Sequence, residues 1–264
     1  MDRETNIEIK RDGLKLHGRI VRTDEEKGAA LIIFHGFGGD SGYDESDLYS
    51  IIAKKAADCG ANALRFDFSG YGKSEGRTED MDIFREILDA IAILNYVRTL
   101  PYVTDIYLLG HSMGGVIAGM LAGLYPDVVK KLILLAPAAT LKEDALKGIC
   151  MGTEYDTWNV PDVVLVDGQH SVGGHFFRIA RNLPIFEVTS QFAGETLLMH
   201  GIPDAIVDYH VSEKYHENMK NSRLCLYENL DHGIEGMDQD KVLEEICKFL
   251  EGGGVVDQCL KTLI

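Results

Sequence analysis

The sequence predicts an α/β fold: a mainly parallel central sheet of about eight strands, helices on both faces, and one small inserted segment. Three observations lead there. Short, continuous apolar runs, the mark of strands buried on both faces, alternate with longer stretches whose apolar residues recur at helical spacing. One of these runs passes through a glycine-flanked turn directly into a small-residue apolar helix. The alternation is interrupted once, over residues 140–184, by a stretch rich in glycine and aromatic residues.

Composition narrows the partners. The 264 residues carry 26 Lys and Arg against 42 Asp and Glu, a net charge of −16. Such a surface repels phosphate backbones and anionic lipid, which excludes nucleic acid as a partner, and the acidity reads as solubility. Residues 1–13 are charged and lack the apolar centre of a signal peptide, and no stretch has the length of a membrane span. The five cysteines, Cys59, Cys150, Cys225, Cys247 and Cys259, are odd in number and lack C-x-x-C spacing. They read as reduced thiols of a cytoplasmic protein, with little support for metal binding.

In chain order, residues 6–9 and 14–22 read as antiparallel strands around the Asp12-Gly13 turn. Residues 29–34 (AALIIF) are a buried strand that ends in His35-Gly36-Phe37-Gly38-Gly39. A helix over 48–59 places Leu48, Ile51, Ile52 and Ala56 on one face and stops at Gly60. The strand 63–66 leads into Asp67-Phe68-Ser69-Gly70-Tyr71-Gly72, and an amphipathic helix over 81–98 ends before Pro101. The strand 106–109, the helix that follows it and the strand 131–136 continue the rhythm. Residues 140–184 hold no clear buried strand. They are expected to form a cap over the site, dividing the chain into a core of 1–139 and 185–264 with a cap subdomain of 140–184. A plain surface excursion is the alternative. Strands at 196–200 and 223–227 alternate with helices at 209–219 and 241–250, and the tail from Gly252 onward has no readable role.

The chemistry centres on Gly110-His111-Ser112-Met113-Gly114. A G-x-S-x-G between a strand and a helix is a nucleophile elbow: the serine stands at a strained turn, glycines let strand and helix approach, and the helix N-terminus faces the reacting oxygen. The plain reading of Ser112 is a helix cap. A serine hydroxyl needs a base. Of nine histidines, His232 is favoured, because its Asn229–Gly233 loop lies between the last strand and the last helix. His200 reads as a packed strand end. His17, His210 and His216 read as surface residues, and His170 and His175 belong to the insertion. Asp204, just after the 196–200 strand, is the expected carboxylate for the imidazole, with Asp208 as a rival that also reads as a helix cap. The oxyanion donors are expected to be the backbone N–H groups of Met113 and Phe37. Each candidate follows a strand, so all gather at one edge of the sheet. The order Ser, Asp, His along the chain is that of the α/β-hydrolase fold.

The segments HGFGGD (35–40), LRFDFSGYGKSEG (64–76), VTDIYLLGHSMGG (103–115), LILLAPAA (132–139), LLMHGIPDAIV (197–207) and LDHGIEG (230–236) resemble the α/β-hydrolase superfamily and, within it, the bacterial cinnamoyl or feruloyl esterases. The resemblance implies Ser112 as nucleophile, Asp204 as acid, His232 as base, and Phe37 and Met113 as oxyanion donors. It implies a cap that shapes the acyl pocket, with Phe176 standing about where the group often has a tyrosine and Met113 where it often has a glutamine. His35, Gly36 and Trp158 complete the candidate substrate contacts with Phe176. The expected function is a serine carboxylesterase acting through an acyl-enzyme on a small-molecule ester, with hydroxycinnamates the implied substrates and no metal or organic cofactor. A general short-chain carboxylesterase, a monoacylglycerol lipase, a thioesterase or a serine aminopeptidase would use the same machinery, and a non-catalytic ligand sensor is the remote alternative. A homodimer is compatible with all of these.

Overall fold

The computed structural model describes residues 4–252. Most of the tail from Gly252 onward, and with it Cys259, lies outside the described residues. The chain opens with the hairpin β1 (Glu4–Arg11) and β2 (Leu14–Val21), followed by β3 (Gly28–Phe34), α1 (Leu48–Asp58), β4 (Asn62–Phe66), α2 (Ile83–Val97), β5 (Val103–His111), α3 (Met113–Leu124) and β6 (Val129–Leu135). Next come α4 (Leu141–Lys147), β7 (Ile149–Cys150), β8 (Thr153–Glu154), β9 (Val163–Val166), β10 (His170–Gly173), α5 (Gly174–Ala180) and α6 (Ile185–Thr189). The closing elements are β11 (Glu195–Gly201), α7 (His210–Asn218), β12 (Ser222–Tyr227) and α8 (Gln239–Leu250).

Eight strands form one sheet in the order β1-β2-β4-β3-β5-β6-β11-β12. It is parallel from β4 to β12, and β2 alone runs against the rest, antiparallel to both β1 and β4. The apolar runs explain this. In β3, Ala30, Ile32 and Phe34 pack toward α2 and α3, while Leu31 and Ile33 pack toward α1 and α8. A strand with two buried faces cannot alternate polar and apolar residues. Each fully buried Ile, Leu or Phe contributes about 1.5–3 kcal/mol. Helix α2 starts at Ile83 rather than at Met81, because the Asp82 carboxylate accepts the Arg85 N–H at 3.0 Å and caps it.

Two expectations are corrected. Residues 140–184 do contain strands, paired as the hairpins β7–β8 and β9–β10, with Val164, Val166 and Val172 buried. Four-residue strands are too short to leave a readable period. The cysteines are also not all reduced: Cys59 and Cys247 form a disulfide across a sequence separation of 188. Helices α1 and α8 lie side by side on one face of the sheet, which brings the end of one against the middle of the other with a Cα–Cα distance of 5.8 Å. No local spacing could signal that pair, and the support that reduced thiols lent to a cytoplasmic location falls with it. Cys150 is a free thiol. Among the described residues, no helix is long and apolar enough to cross a membrane.

Candidate active site

Strand β5 delivers Ser112 to a turn that only a strained backbone can make. Ser112 sits at φ 55°, ψ −123°, a sparsely populated region that costs about 1–3 kcal/mol. The turn is tight because Gly110 and Gly114 face each other: a Cβ on Gly110 would lie 2.1 Å from the Gly114 carbonyl oxygen, and one on Gly114 would lie 2.3 Å from that of Phe34. The Ser112 N–H donates to the Leu135 carbonyl at 2.9 Å and its carbonyl accepts the Ala138 N–H at 2.9 Å, so the end of β6 pins the turn on both sides.

The loops after β11 and β12 converge on this serine. His232 Nε2 lies 2.9 Å from Ser112 Oγ, and His232 Nδ1 lies 2.7 Å from Asp204 Oδ2. The carboxylate can only accept, so Nδ1 carries the proton and the Nε2 lone pair faces the serine hydroxyl. Asp204 is itself held. Its Oδ1 accepts the N–H groups of Ile206 and Val207 at 2.8 and 2.9 Å, and its Oδ2 also accepts from His200 Nε2 at 3.0 Å. Burial pushes the Asp204 carboxyl up, but donors from His200, His232 and Val207 outweigh it and hold the group well below the usual carboxylate range. Asp208, the rival, turns outward and pairs with His210 at 2.6 Å.

On the other side of Ser112 lies the loop after β3. A Cβ on Gly36 would stand 3.1 Å from that of Ser112, so the two backbones are in near contact. Phe37 and Met113 both line the cavity beside Ser112, and the Phe37 ring is held by His170 and Phe176, with centroids 5.4 and 6.2 Å away. His35, expected to touch substrate, is not among the residues that line this cavity. It is buried, its Nε2 accepts the Phe68 N–H at 3.0 Å, and its Nδ1–H donates to the Gly36 carbonyl at 2.8 Å. Both ring nitrogens are committed to backbone, and burial lowers its pKa, keeping the ring neutral.

A cavity of about 240 Å³ opens at Ser112. Its walls are mainly apolar, from Leu141, Ala145, Ile149, Met151, Phe176, Phe177 and Val207, with Thr140 and Asp144 as polar members. Phe176 is one of these walls. Trp158 is not: it is 96% exposed and outside the cavity. The Asp156 carboxylate accepts the Trp158 and Asn159 N–H groups at 2.8 and 3.2 Å, a local turn that leaves the indole facing outward. Cys150 lines the cavity as a thiol that burial pushes up to about 11, far from a reactive thiolate.

The roles of three residues are not legible in the sequence. His200 supports Asp204. His111, the variable position before the serine, is buried and places Nδ1 2.8 Å from the Tyr49 hydroxyl and Nε2 2.7 Å from the His232 carbonyl. Tyr49 in turn accepts the Gly36 N–H at 3.0 Å. Burial, with His232 alongside, pushes His111 down to about 4. The only sequence signal was a polar residue at the buried end of an otherwise apolar strand. Among the described residues, the metal-ligand atoms that converge are those of Cys59, Cys247 and Glu251, and the two sulfurs are already bonded to each other.

The family described as alpha/beta hydrolase fold matches residues 29–149. The structure of Est1E from Butyrivibrio proteoclasticus with ferulic acid bound has a TM-score of 0.88 to this chain, at 30% identity, covering 92% of this chain and 97% of Est1E. The mitochondrial palmitoyl-protein thioesterase ABHD10 of Homo sapiens is 28% identical over 166 residues, 58% of this chain and 50% of ABHD10. The (lyso)-N-acylphosphatidylethanolamine lipase of Mus musculus is 30% identical over 117 residues, 44% of this chain and 32% of the lipase. The chain thus spans half or less of the length of these two curated relatives, whereas its match to Est1E runs almost end to end. On that match, and on the sheet that carries it, the chain belongs to the α/β-hydrolase family, in which it resembles the cinnamoyl and feruloyl esterases.

Proposed function

We propose that this protein is a serine carboxylesterase acting on aromatic, hydroxycinnamate-type esters. The observation that carries the reading is the unbroken line from Ser112 Oγ through His232 to the Asp204 carboxylate, 2.9 and 2.7 Å long, at the mouth of a mainly apolar cavity. His232 Nε2 takes the serine proton as Oγ attacks the ester carbonyl. The carbonyl electrons move onto oxygen, and the N–H groups of Phe37 and Met113 stabilise that oxyanion. Collapse of the intermediate breaks the C–O bond, and the alcohol leaves with the proton from His232. Water, deprotonated by His232, then attacks the acyl-enzyme, which releases the acid and regenerates Ser112.

Residues 140–184 act as a cap in this reading, because α4, β7 and α5 supply most of the apolar wall. Support for a phenolic acyl group comes from Asp144, the one carboxylate among the described residues lining the cavity, which is able to accept a phenol O–H. The ferulic acid bound to Est1E supports the same substrate class. A second reading, a carboxylesterase for plain apolar acyl groups, is favoured by Phe176, whose ring offers no hydrogen bond. The test is a steady-state panel of methyl ferulate, ethyl caffeate and p-nitrophenyl esters of rising length, with Ser112→Ala as blank. Higher kcat/KM on the hydroxycinnamates supports the first reading, and preference for short acyl esters supports the second. Full turnover by purified Ser112→Ala removes both.

A further inference from the structure

The loop that carries Phe37 and the loop that carries His232 come from opposite ends of the chain, yet one line of hydrogen bonds ties them together. The Gly36 N–H donates to the Tyr49 oxygen at 3.0 Å. The Tyr49 O–H donates to His111 Nδ1 at 2.8 Å. His111 Nε2–H donates to the His232 carbonyl at 2.7 Å. The direction of every proton is fixed. A carbonyl can only accept, so Nε2 bears the proton and Nδ1 must accept, which obliges the tyrosine to donate and leaves its oxygen to take the Gly36 N–H. The links are half-buried: His111 is 8% exposed, and Tyr49, partly buried, reaches it from α1 at the edge of the cavity.

We propose that Tyr49 and His111 are positioning residues for catalysis, fixing the oxyanion loop and the His232 loop relative to each other across Ser112. This rests on the esterase reading above. The Gly36 carbonyl shares one planar peptide with the Phe37 N–H and accepts His35 Nδ1–H at 2.8 Å, so holding the Gly36 N–H as well through Tyr49 fixes that residue on both sides and with it the direction of the donor. The His232 carbonyl is the backbone of the base itself. Shifting either loop by a fraction of an ångström weakens an interaction made only in the transition state. Tyr49 and His111 also line the cavity, but most of its apolar wall comes from residues 141–177, so ground-state binding rests chiefly there.

The test uses Tyr49→Phe, which removes one oxygen and keeps the ring. It is expected to lower kcat by about 10–100-fold with KM changed less than about twofold, across esters of different acyl groups. Two matched inhibitors separate positioning from general loosening. 2-Phenylethaneboronic acid forms a tetrahedral adduct on a serine hydroxyl and places an oxygen where the oxyanion would be, whereas 3-phenylpropanoate binds as a product. Tyr49→Phe should weaken the boronic acid by the same factor as kcat and leave 3-phenylpropanoate nearly unchanged. His111→Gln supplies the same comparison if Tyr49→Phe folds poorly, and the double variant should lose little more than the worse single one, as members of one chain of bonds do. Wild-type kcat in Tyr49→Phe, or equal weakening of both inhibitors, overturns the proposal while an inactive Ser112→Ala leaves the esterase reading standing. An active Ser112→Ala overturns the esterase reading itself.

Discussion

His200 and His232 donate to the same carboxylate oxygen, Asp204 Oδ2, at 3.0 and 2.7 Å. His200 is fully buried, and its other nitrogen accepts the Ser212 hydroxyl at 2.7 Å. Asp204 is thus gripped from the strand side by one imidazole while it orients another. Two donors on one oxygen, with two backbone N–H groups on the other, keep the carboxylate ionised where burial alone would favour its acid.

Replacing His200 by Phe removes one donor and strands the Ser212 hydroxyl. The expected outcome is a fall in kcat of about tenfold and a loss of stability of about 1–3 kcal/mol at pH 7. The sign with pH follows from the depressed Asp204 pKa. Its contribution is present above the unfolded value of about 3.9 and is lost as pH falls through the folded value. Urea unfolding of His200→Phe and wild type should therefore differ more at pH 7 than at pH 3.5. A constant difference across that range contradicts the assignment.

Glu86 carries the opposite sign. It is fully buried in α2, neither carboxyl oxygen has a hydrogen-bond partner among the described residues, and burial, with Asp89 and Asp82 nearby, raises its pKa well above the usual value. The folded protein holds a proton that the unfolded chain releases above about pH 4.3, so stability declines as pH rises through that window. Glu86→Gln keeps the shape and removes the titration. It should match wild type near pH 4 and exceed it by at least about 1 kcal/mol at pH 7.5 in chemical unfolding. Equal stability at both pH values would show that Glu86 is ionised in the fold.

Trp158 gives a sharp test of where the substrate sits. With the indole 96% exposed and outside the cavity, Trp158→Ala should leave kcat/KM within about twofold for every ester in the panel, as surface substitutions usually do. Phe176→Ala, which opens the cavity wall and removes a buried ring, should lower kcat/KM for aromatic esters by at least about tenfold. The reverse pattern would place the acyl group under the 155–162 loop.

What could be read from the sequence followed the range of the forces involved. The elbow was legible because strand, Gly110, Ser112, Gly114 and helix are neighbours in the chain and the strain of one residue dictates the size of the others. The positions of Asp204 and His232 were legible because parallel strands deliver their following loops to one edge. His35 was misread because the N–H that claims its Nε2 comes from Phe68, a strand away. Trp158 was misread because aromatic character says nothing about which side of an Asx turn a ring will occupy. The roles of Tyr49 and His111, and that of His200 beyond a packed strand end, are not legible because each gains its meaning from a partner on a different element. The Cys59–Cys247 bond exists only because α1 and α8 share a face of the sheet.

That bond closes a loop with a sequence separation of 188, about three-quarters of the described chain. Cross-linking such distant residues restricts the unfolded ensemble and is worth about 2–4 kcal/mol. Cys59→Ser with Cys247→Ser should accordingly lower the unfolding midpoint in urea relative to oxidised wild type, and wild type held in dithiothreitol should fall to the same midpoint. Activity should survive at temperatures where both forms are folded, since neither cysteine lines the cavity, which α1 reaches through Tyr49 at its other end. Oxidised and reduced wild type with identical midpoints would mean that the pair contributes nothing to folding. A reduced form that is stable but inactive would mean that the α1–α8 face is coupled to Ser112, most directly through Tyr49, which α1 carries to His111.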